Sequence, residues 1–178
     1  MANLPPRIHE SRLVHHGRVF DVTINRVTLP HGRTVEMEVV QHPGSVVLLP
    51  MPAPDRIILI RQYRYVVDQW LWELPAGTLE PEERPEEAAV RECQEEIGRI
   101  PGLVRRLAMF YPSPGFCSEA MTFFLATELR KPGADDPSTA QDPDEVLQVR
   151  ECSVAEALEM IGTGAIVDMK TAVGLTLI

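Results

Sequence analysis

The 178-residue sequence is short of positive charge, short of cysteine and without any long apolar run. No stretch approaches the roughly 20 apolar residues that a bilayer span needs, so no membrane segment is expected. The first residues, Met1-Ala-Asn-Leu-Pro-Pro-Arg7, hold no apolar core of the kind a secretory leader requires, and a cytoplasmic address is the expectation. Cys93, Cys117 and Cys152 are odd in number and no two have metal-ligand spacing. That argues against a disulfide framework or a structural zinc site and for reduced thiols. His9, His15, His16, His31 and His42 share no metal-ligand spacing either, and no Ser-His-Asp or Cys-His arrangement is readable. Seventeen basic residues against 26 acidic ones leave a formal net charge of −9. Such a chain repels a nucleic-acid backbone unless it gathers its positive charge in one patch, so no nucleic-acid partner is expected. The remaining composition, 44% hydrophobic and 24% charged, is ordinary for a soluble globular protein.

What is present is unevenly placed. The acids cluster at 80–96 and 135–145, where bare charges repel one another and divalent cations would relieve the repulsion. Residues 12–42 read as β structure: Arg18–Asn25 and Thr34–Val40 are rich in β-branched residues, with turn chemistry at Pro30–Arg33 between them. Two strands are too little for an independent core, so this segment should pack on the main domain or on a partner chain. His42-Pro-Gly44 punctuates the chain, and a division into 1–43 and 44–178 is expected. Ser45–Pro50, Arg56–Tyr63, Trp70–Leu74, Leu103–Tyr111, Met121–Glu128 and Glu145–Cys152 read as further strands. The continuous apolar run Ile57–Ile60 suits a strand buried on both faces. A helix opens at Pro85 and stops at Gly98. A second follows the Ser153-Val-Ala-Glu156 capping box, and a short third lies within 168–178. Lys131–Pro143 reads as a loop.

On a helical wheel, Val90, Cys93 and Ile97 fall within about 60° of one another and predict the buried stripe. Glu92 and Glu96 lie about 40° apart, one turn from each other on another face. Glu95 flanks them, and Arg91 sits one turn before Glu95, where the two can pair. The plain alternative is a solvated acidic face. Against it, like charges at i,i+4 destabilise a helix, and the dipole disfavours anions in the last turn. Carboxylates one turn apart do suit a hard cation such as Mg²⁺.

The stretch Gly77–Arg99 resembles the Nudix box, G-x5-E-x7-R-E-U-x-E-E-x-G-U, where U is a bulky aliphatic residue. Gly77, Glu83, Arg91, Glu92, Glu95, Glu96 and Gly98 match all seven fixed positions, while Cys93 and Arg99 depart at two U positions. At about 7% usage per residue, chance gives such a match on the order of once in a million chains. The resemblance implies an α+β fold, a Nudix α/β/α sandwich with a mixed β-sheet, plus the small N-terminal antiparallel β segment. It implies that Glu92 and Glu96 hold two or three Mg²⁺ ions (Mn²⁺ can substitute), with Glu83, Glu95 and the Ala76 carbonyl assisting. By the same resemblance Arg91 orients the carboxylates and Gly77 permits the turn against the helix.

The box implies hydrolysis of a nucleoside diphosphate linked to some group and does not name the group. Ser113-Pro-Gly115, with Pro114 sixteen residues after Gly98, resembles the ADP-ribose pyrophosphatase branch, although Pro-Gly makes a turn in any case. That branch implies that Ser113, Gly115 and Glu119 line a terminal ribose pocket. It implies that Arg64 meets the diphosphate or ribose, bordered by Glu73 and Glu80. Arg61 is equally a phosphate contact or a surface strand residue, and Trp70 and Trp72 are read as packing. In this branch an N-terminal sheet packs across a homodimer and helps bind adenine. Phe20 and Glu38 are the candidates for that contact, with a core role the plainer reading of Phe20. Relatives keep a general base or metal ligand in the acidic loop. Here Pro143 occupies one slot, so Glu145 is the first candidate, with Asp142 and Asp144 as alternatives and solvated loop charge as the plain reading. The expected reaction is Mg²⁺-dependent hydrolysis of ADP-ribose to AMP and ribose 5-phosphate. GDP-mannose or another nucleotide sugar is the alternative substrate, and a non-catalytic nucleotide-sugar sensor is the alternative class.

Overall fold

The structure is a computed structural model that describes residues 5–136 and 146–178. Asp142, Pro143, Asp144 and Glu145 lie outside the described residues. The chain divides into two compact units: residues up to Gly44 with Tyr111–Ala120, and Ser45–Phe110 with Met121–Ile178.

The first unit is an antiparallel sheet in the order β1 (Arg7–His16), β2 (Asp21–Thr28), β3 (Thr34–Gln41). It therefore has three strands where the sequence suggests two. β1 starts at Arg7 and is exposed along its whole length, so no apolar alternation betrays it. Pairing with β2 holds it, helped by side-chain bonds from Ser11 to Asn25 and between His16 and Asp21, both 2.7 Å. The β2–β3 turn closes through Gly32, whose φ of 89° favours glycine. Tyr111–Ala120 joins this unit at β3: Val40 donates to the Phe116 carbonyl at 2.8 Å and accepts from the Ser118 amide at 3.0 Å.

The second unit holds two hydrogen-bonded sheets rather than a single one. The first is β10 (Gln148–Ser153), β5 (Arg56–Arg64), β6 (Gln69–Glu73), all antiparallel. The second is β7 (Ala76–Thr78), β4 (Ser45–Pro50), β9 (Met121–Thr127), β8 (Leu103–Phe110), mixed because β4 and β9 run parallel. Successive residues of β4 and β5 point to opposite faces and feed two cores. Val46, Leu48, Ile58 and Ile60, with Phe124, pack with Ala88, Ala89, Cys93 and Ile97 of α1 (Pro85–Ile97). Val47, Leu49, Ile57, Leu59 and Phe123 pack with Ala157 and Met160 of α2 (Val154–Gly162) and Leu175 of α3 (Met169–Leu175). This is the expected sandwich of helices on both faces of β structure.

α1 starts with Pro85 in its first turn and ends at Gly98, whose φ of 62° is left-handed. Its buried face differs from the wheel: Val90 is only half-buried, while Ala88, Ala89, Glu92 and Glu96 are buried with Cys93 and Ile97. α3 is seated more closely than its length suggests. Asp168 caps it by accepting from the Thr171 amide at 2.9 Å, and Thr171 Oγ1 accepts from the Leu74 amide at 2.7 Å. A Cβ on Gly174 would lie 2.4 Å from Leu74 Cδ1 and 3.3 Å from Phe123 Cε1. Gly174→Ala is therefore expected to lose about 1–2 kcal/mol in urea unfolding, overpacking outweighing the gain in helix propensity. An unchanged or raised unfolding midpoint would contradict this close seat.

Candidate active site

The site grows from the junction of β7 with α1. Three strand residues, Ala76 to Thr78, pair with the start of β4, which brings their backbone against the last two turns of the helix. Gly77 is required there. A Cβ at this position would lie 1.7 Å from Glu92 Oε1 and 1.9 Å from its Cδ, so only a residue without a side chain lets the carboxylate in. One residue earlier, the Ala76 amide donates to Glu96 Oε2 at 2.8 Å.

Arg91 binds this corner together. Its Nε donates to Glu83 Oε1 at 2.8 Å and its Nη2 to Glu83 Oε2 at 2.9 Å, a two-pronged pair. Nη1 donates to Glu92 Oε1 at 2.6 Å and to Glu95 Oε2 at 3.0 Å, and Nη2 also reaches the Thr78 carbonyl at 3.2 Å. Glu92 is 8% exposed and Glu96 5%, which rules out a solvated acidic face. Buried charge is costly unless paired. The bonds to Glu83, outweighing the cost of burial, raise the Arg91 pKa and keep the guanidinium charged. Reciprocally, the Arg91 bond, with help from the Glu80 amide, holds the Glu83 carboxyl below its ordinary range. Three carboxylates bond this guanidinium, a surplus of two negative charges when all are ionised, and Glu96 adds a fourth acid one helical turn from Glu92.

That surplus fits a divalent cation. Among the described residues no three His, Cys, Asp or Glu side chains form a preformed metal cage. The donors are instead an open set of hard carboxylate oxygens beside backbone at a glycine, which suits an ion that keeps several waters and takes further ligands from phosphate.

A second charged cluster lies in the same unit. Arg64, at the end of β5, docks on Glu73, at the end of β6, through Nε to Oε1 at 2.8 Å and Nη2 to Oε2 at 2.6 Å. Burial pushes the Glu73 carboxyl upward, but Arg64 and Lys170 together outweigh it and hold the pKa down. Lys170 donates to Glu73 Oε2 and lies 3.1 Å from Asp168 Oδ2. Sequence reasoning singled out Arg64 and Glu73 and missed Lys170 and Asp168. Lys170 is the second residue of α3 and its partner Glu73 is 97 residues away, so no local signal pointed to it.

The other expected contacts distribute as follows. Glu80 is exposed, in the loop before α1. Ser113, Gly115, Glu119, Phe20 and Glu38 belong to the first unit. The Ser113 carbonyl accepts from Phe116 and Cys117 in a turn, a Cβ on Gly115 would meet no atom within 4 Å, and Glu38 is exposed on β3. Phe20 is 43% exposed, so the plainer reading of it as a core aromatic is corrected. Arg61 stacks over Trp70 and Trp72, with its carbon 5.9 and 5.8 Å from the ring centroids, so its cation is engaged by aromatic faces.

Known proteins resemble this chain in sequence and in fold. The NUDIX domain family model matches residues 41–169. The chain is 34% identical over 172 residues to an ADP-ribose pyrophosphatase of Bacillus subtilis, covering 97% of this chain and 91% of that protein. It is 37% identical over 136 residues to a GDP-mannose pyrophosphatase of Escherichia coli, covering 72% and 69%. A solved structure described as an ADP compounds hydrolase superposes with a TM-score of 0.78 at 21% identity, covering 99% of this chain and 94% of that one, a likeness of fold.

Because Glu83 is held below its ordinary pKa, the ionised form favours the folded state. Its contribution is present above the unfolded value and is lost as pH falls through the lower folded value. Glu83→Gln is therefore expected to cost about 1–3 kcal/mol at pH 7, the difference from wild type closing as the pH is lowered below about 4.5. A difference that stays constant with pH in urea unfolding would count against the pairing.

Proposed function

The chain belongs to the NUDIX domain family, and from that premise we propose that this Nudix pyrophosphohydrolase hydrolyses the diphosphate bond of ADP-ribose, with Mg²⁺, to AMP and ribose 5-phosphate. The observation that carries the reading is the buried carboxylate cluster around Arg91, pressed against the Gly77 backbone. The full-length similarity to an ADP-ribose pyrophosphatase supports the choice of sugar nucleotide.

In this mechanism Glu92 and Glu96 hold the divalent ions, with Glu83, Glu95 and the Ala76 carbonyl as further oxygen donors. When bound, the ions neutralise the diphosphate oxygens and make an attacking water more acidic. Arg91 keeps Glu83, Glu92 and Glu95 aimed together while it screens their mutual repulsion. Arg64, docked on Glu73, keeps Nη1 for a phosphate or ribose oxygen. Glu145, or Asp142 or Asp144 of the same loop, takes the proton of the water as its oxygen bonds to phosphorus and the bridging P–O bond breaks. Such a base contributes typically 10² to 10⁴-fold. Ser113, Gly115 and Glu119 receive the terminal ribose, Glu80 borders the pocket, and Phe20 and Glu38 meet adenine in a cytoplasmic homodimer.

The similarity to a GDP-mannose pyrophosphatase supports a second reading, the same cleavage on a guanine nucleotide sugar. A phosphatase-coupled phosphate-release assay over nucleotide sugars, with and without Mg²⁺, separates the two. The expected result is Mg²⁺-dependent turnover with the highest kcat/KM for ADP-ribose. Preference for GDP-mannose would replace the substrate, and absence of turnover across the panel would favour a non-catalytic sensor.

A further inference from the structure

Arg64 sits at a strand end with its side chain 41% exposed, yet the carboxylate it rests on is 1% exposed. A guanidinium hinged on a single buried acid has one rotational freedom left, about the axis of the carboxylate. Glu73 is itself fixed only if both its oxygens are held from more than one side. Its Oε1 accepts from Arg64 Nε, and its Oε2 accepts from both Arg64 Nη2 and Lys170 Nζ. Lys170 is 8% exposed and is held in turn by Asp168 at 3.1 Å. Asp168 is fixed by the Thr171 amide and hydroxyl, at 2.9 and 2.6 Å, and Thr171 by the Leu74 amide, one residue after Glu73. The loop of contacts is closed: the residue after β6 holds α3, and α3 returns a cation to the last residue of β6.

The four charges alternate, Arg64, Glu73, Lys170, Asp168, and sum to zero. A buried lysine is expensive to desolvate unless its charge is paired, as this one is by Glu73 and Asp168. Arg64 uses Nε and Nη2 on Glu73, and among the described residues its Nη1 donates to no protein group. The free edge of the fork is thus the edge whose direction Glu73 sets. Arg64 also feels the charge of Glu96 in the carboxylate cluster, so its direction matters to whatever anion meets that cluster.

We propose that Lys170 is a positioning residue for substrate: by clamping Glu73 from the C-terminal helix it fixes the Arg64 guanidinium with its free edge toward the diphosphate. This rests on the assignment of the carboxylate cluster as a nucleotide-sugar diphosphatase site. It makes α3, which carries no part of the Nudix box, a determinant of substrate affinity. The lysine does not touch substrate and acts only through Glu73 and Arg64.

Two measurements on the full chain test it. The first needs no turnover: solvent exchange of the Arg64 Nε–H, followed by ¹⁵N NMR and assigned by its loss in Arg64→Lys. Exchange is expected to speed up at least about 10-fold in Lys170→Met and to return near wild type in Lys170→Arg. The second is kinetic. In Lys170→Met, KM for the best nucleotide sugar is expected to rise roughly 10-fold with kcat within about 3-fold, and the rise should vanish in an Arg64→Ala background. Lys170→Gln, which keeps a donor without the charge, takes the place of Lys170→Met if the latter does not fold. Unchanged Arg64 exchange overturns the positioning, whatever the enzyme hydrolyses. A KM rise that persists without Arg64, or exchange that changes with no change in KM, overturns it as well. If the wild type turns over no nucleotide sugar, the diphosphatase assignment fails and the substrate role of Lys170 falls with it, while the exchange measurement still decides whether Lys170 orders Arg64.

Discussion

The guanidinium of Arg91 is the interaction on which the rest of the site depends. Glutamates one turn apart at the C-terminal end of a helix repel each other and oppose the helix dipole. Burying Glu92 and Glu96 makes the arrangement worse. It persists because Arg91 donates to Glu83, Glu92 and Glu95 at once and anchors to the Thr78 carbonyl, and because the Ala76 amide supplies a further donor to Glu96. One guanidinium and a stretch of backbone thus hold the cluster together. On the proposed reading, its surplus of negative charge is what a divalent ion would neutralise.

The segment from Glu73 to Gly77 couples the two sides of the sandwich. At one end Glu73 closes β6 and joins Lys170 of α3; at the other, Ala76 and Gly77 receive Glu96 and Glu92 of α1. Leu74 between them is fully buried in the core beneath α3. Five consecutive residues therefore separate the carboxylate on which Arg64 rests from the backbone that receives the carboxylate cluster, and each helix is pinned to that segment by side chain to backbone contact. Cores on both faces of β4 and β5 make the segment stiff, since a shift toward one helix opens a gap against the other.

Much of this was legible in the sequence where local chemistry dictates structure. Pro85 and Gly98 bound α1 because a missing N–H and a left-handed residue belong at those two ends. Ile57–Ile60 read as a doubly buried strand because its apolar run leaves no face for water. The wheel misassigned the buried face of α1, since it places charges outward and cannot know that a glycine backbone waits opposite Glu92. β1 escaped because an exposed strand held only by its neighbour carries no burial pattern. Lys170 escaped because its partner Glu73 is 97 residues away, and nothing local marks a lysine that folding will bury. The residues expected around sugar and base were named through resemblance, and no local physical signal in the chain singles them out.

The central claim is that the Arg91-centred carboxylates bind a divalent ion, and a titration of free Mn²⁺ by electron paramagnetic resonance, on the wild type and on Glu92→Gln and Glu96→Gln, addresses it most directly. The account predicts saturable Mn²⁺ binding by the wild type, competed by Mg²⁺ and weakened at least about 10-fold by either substitution while the fold is retained. Binding that is absent from the wild type, or indifferent to both substitutions, would contradict it.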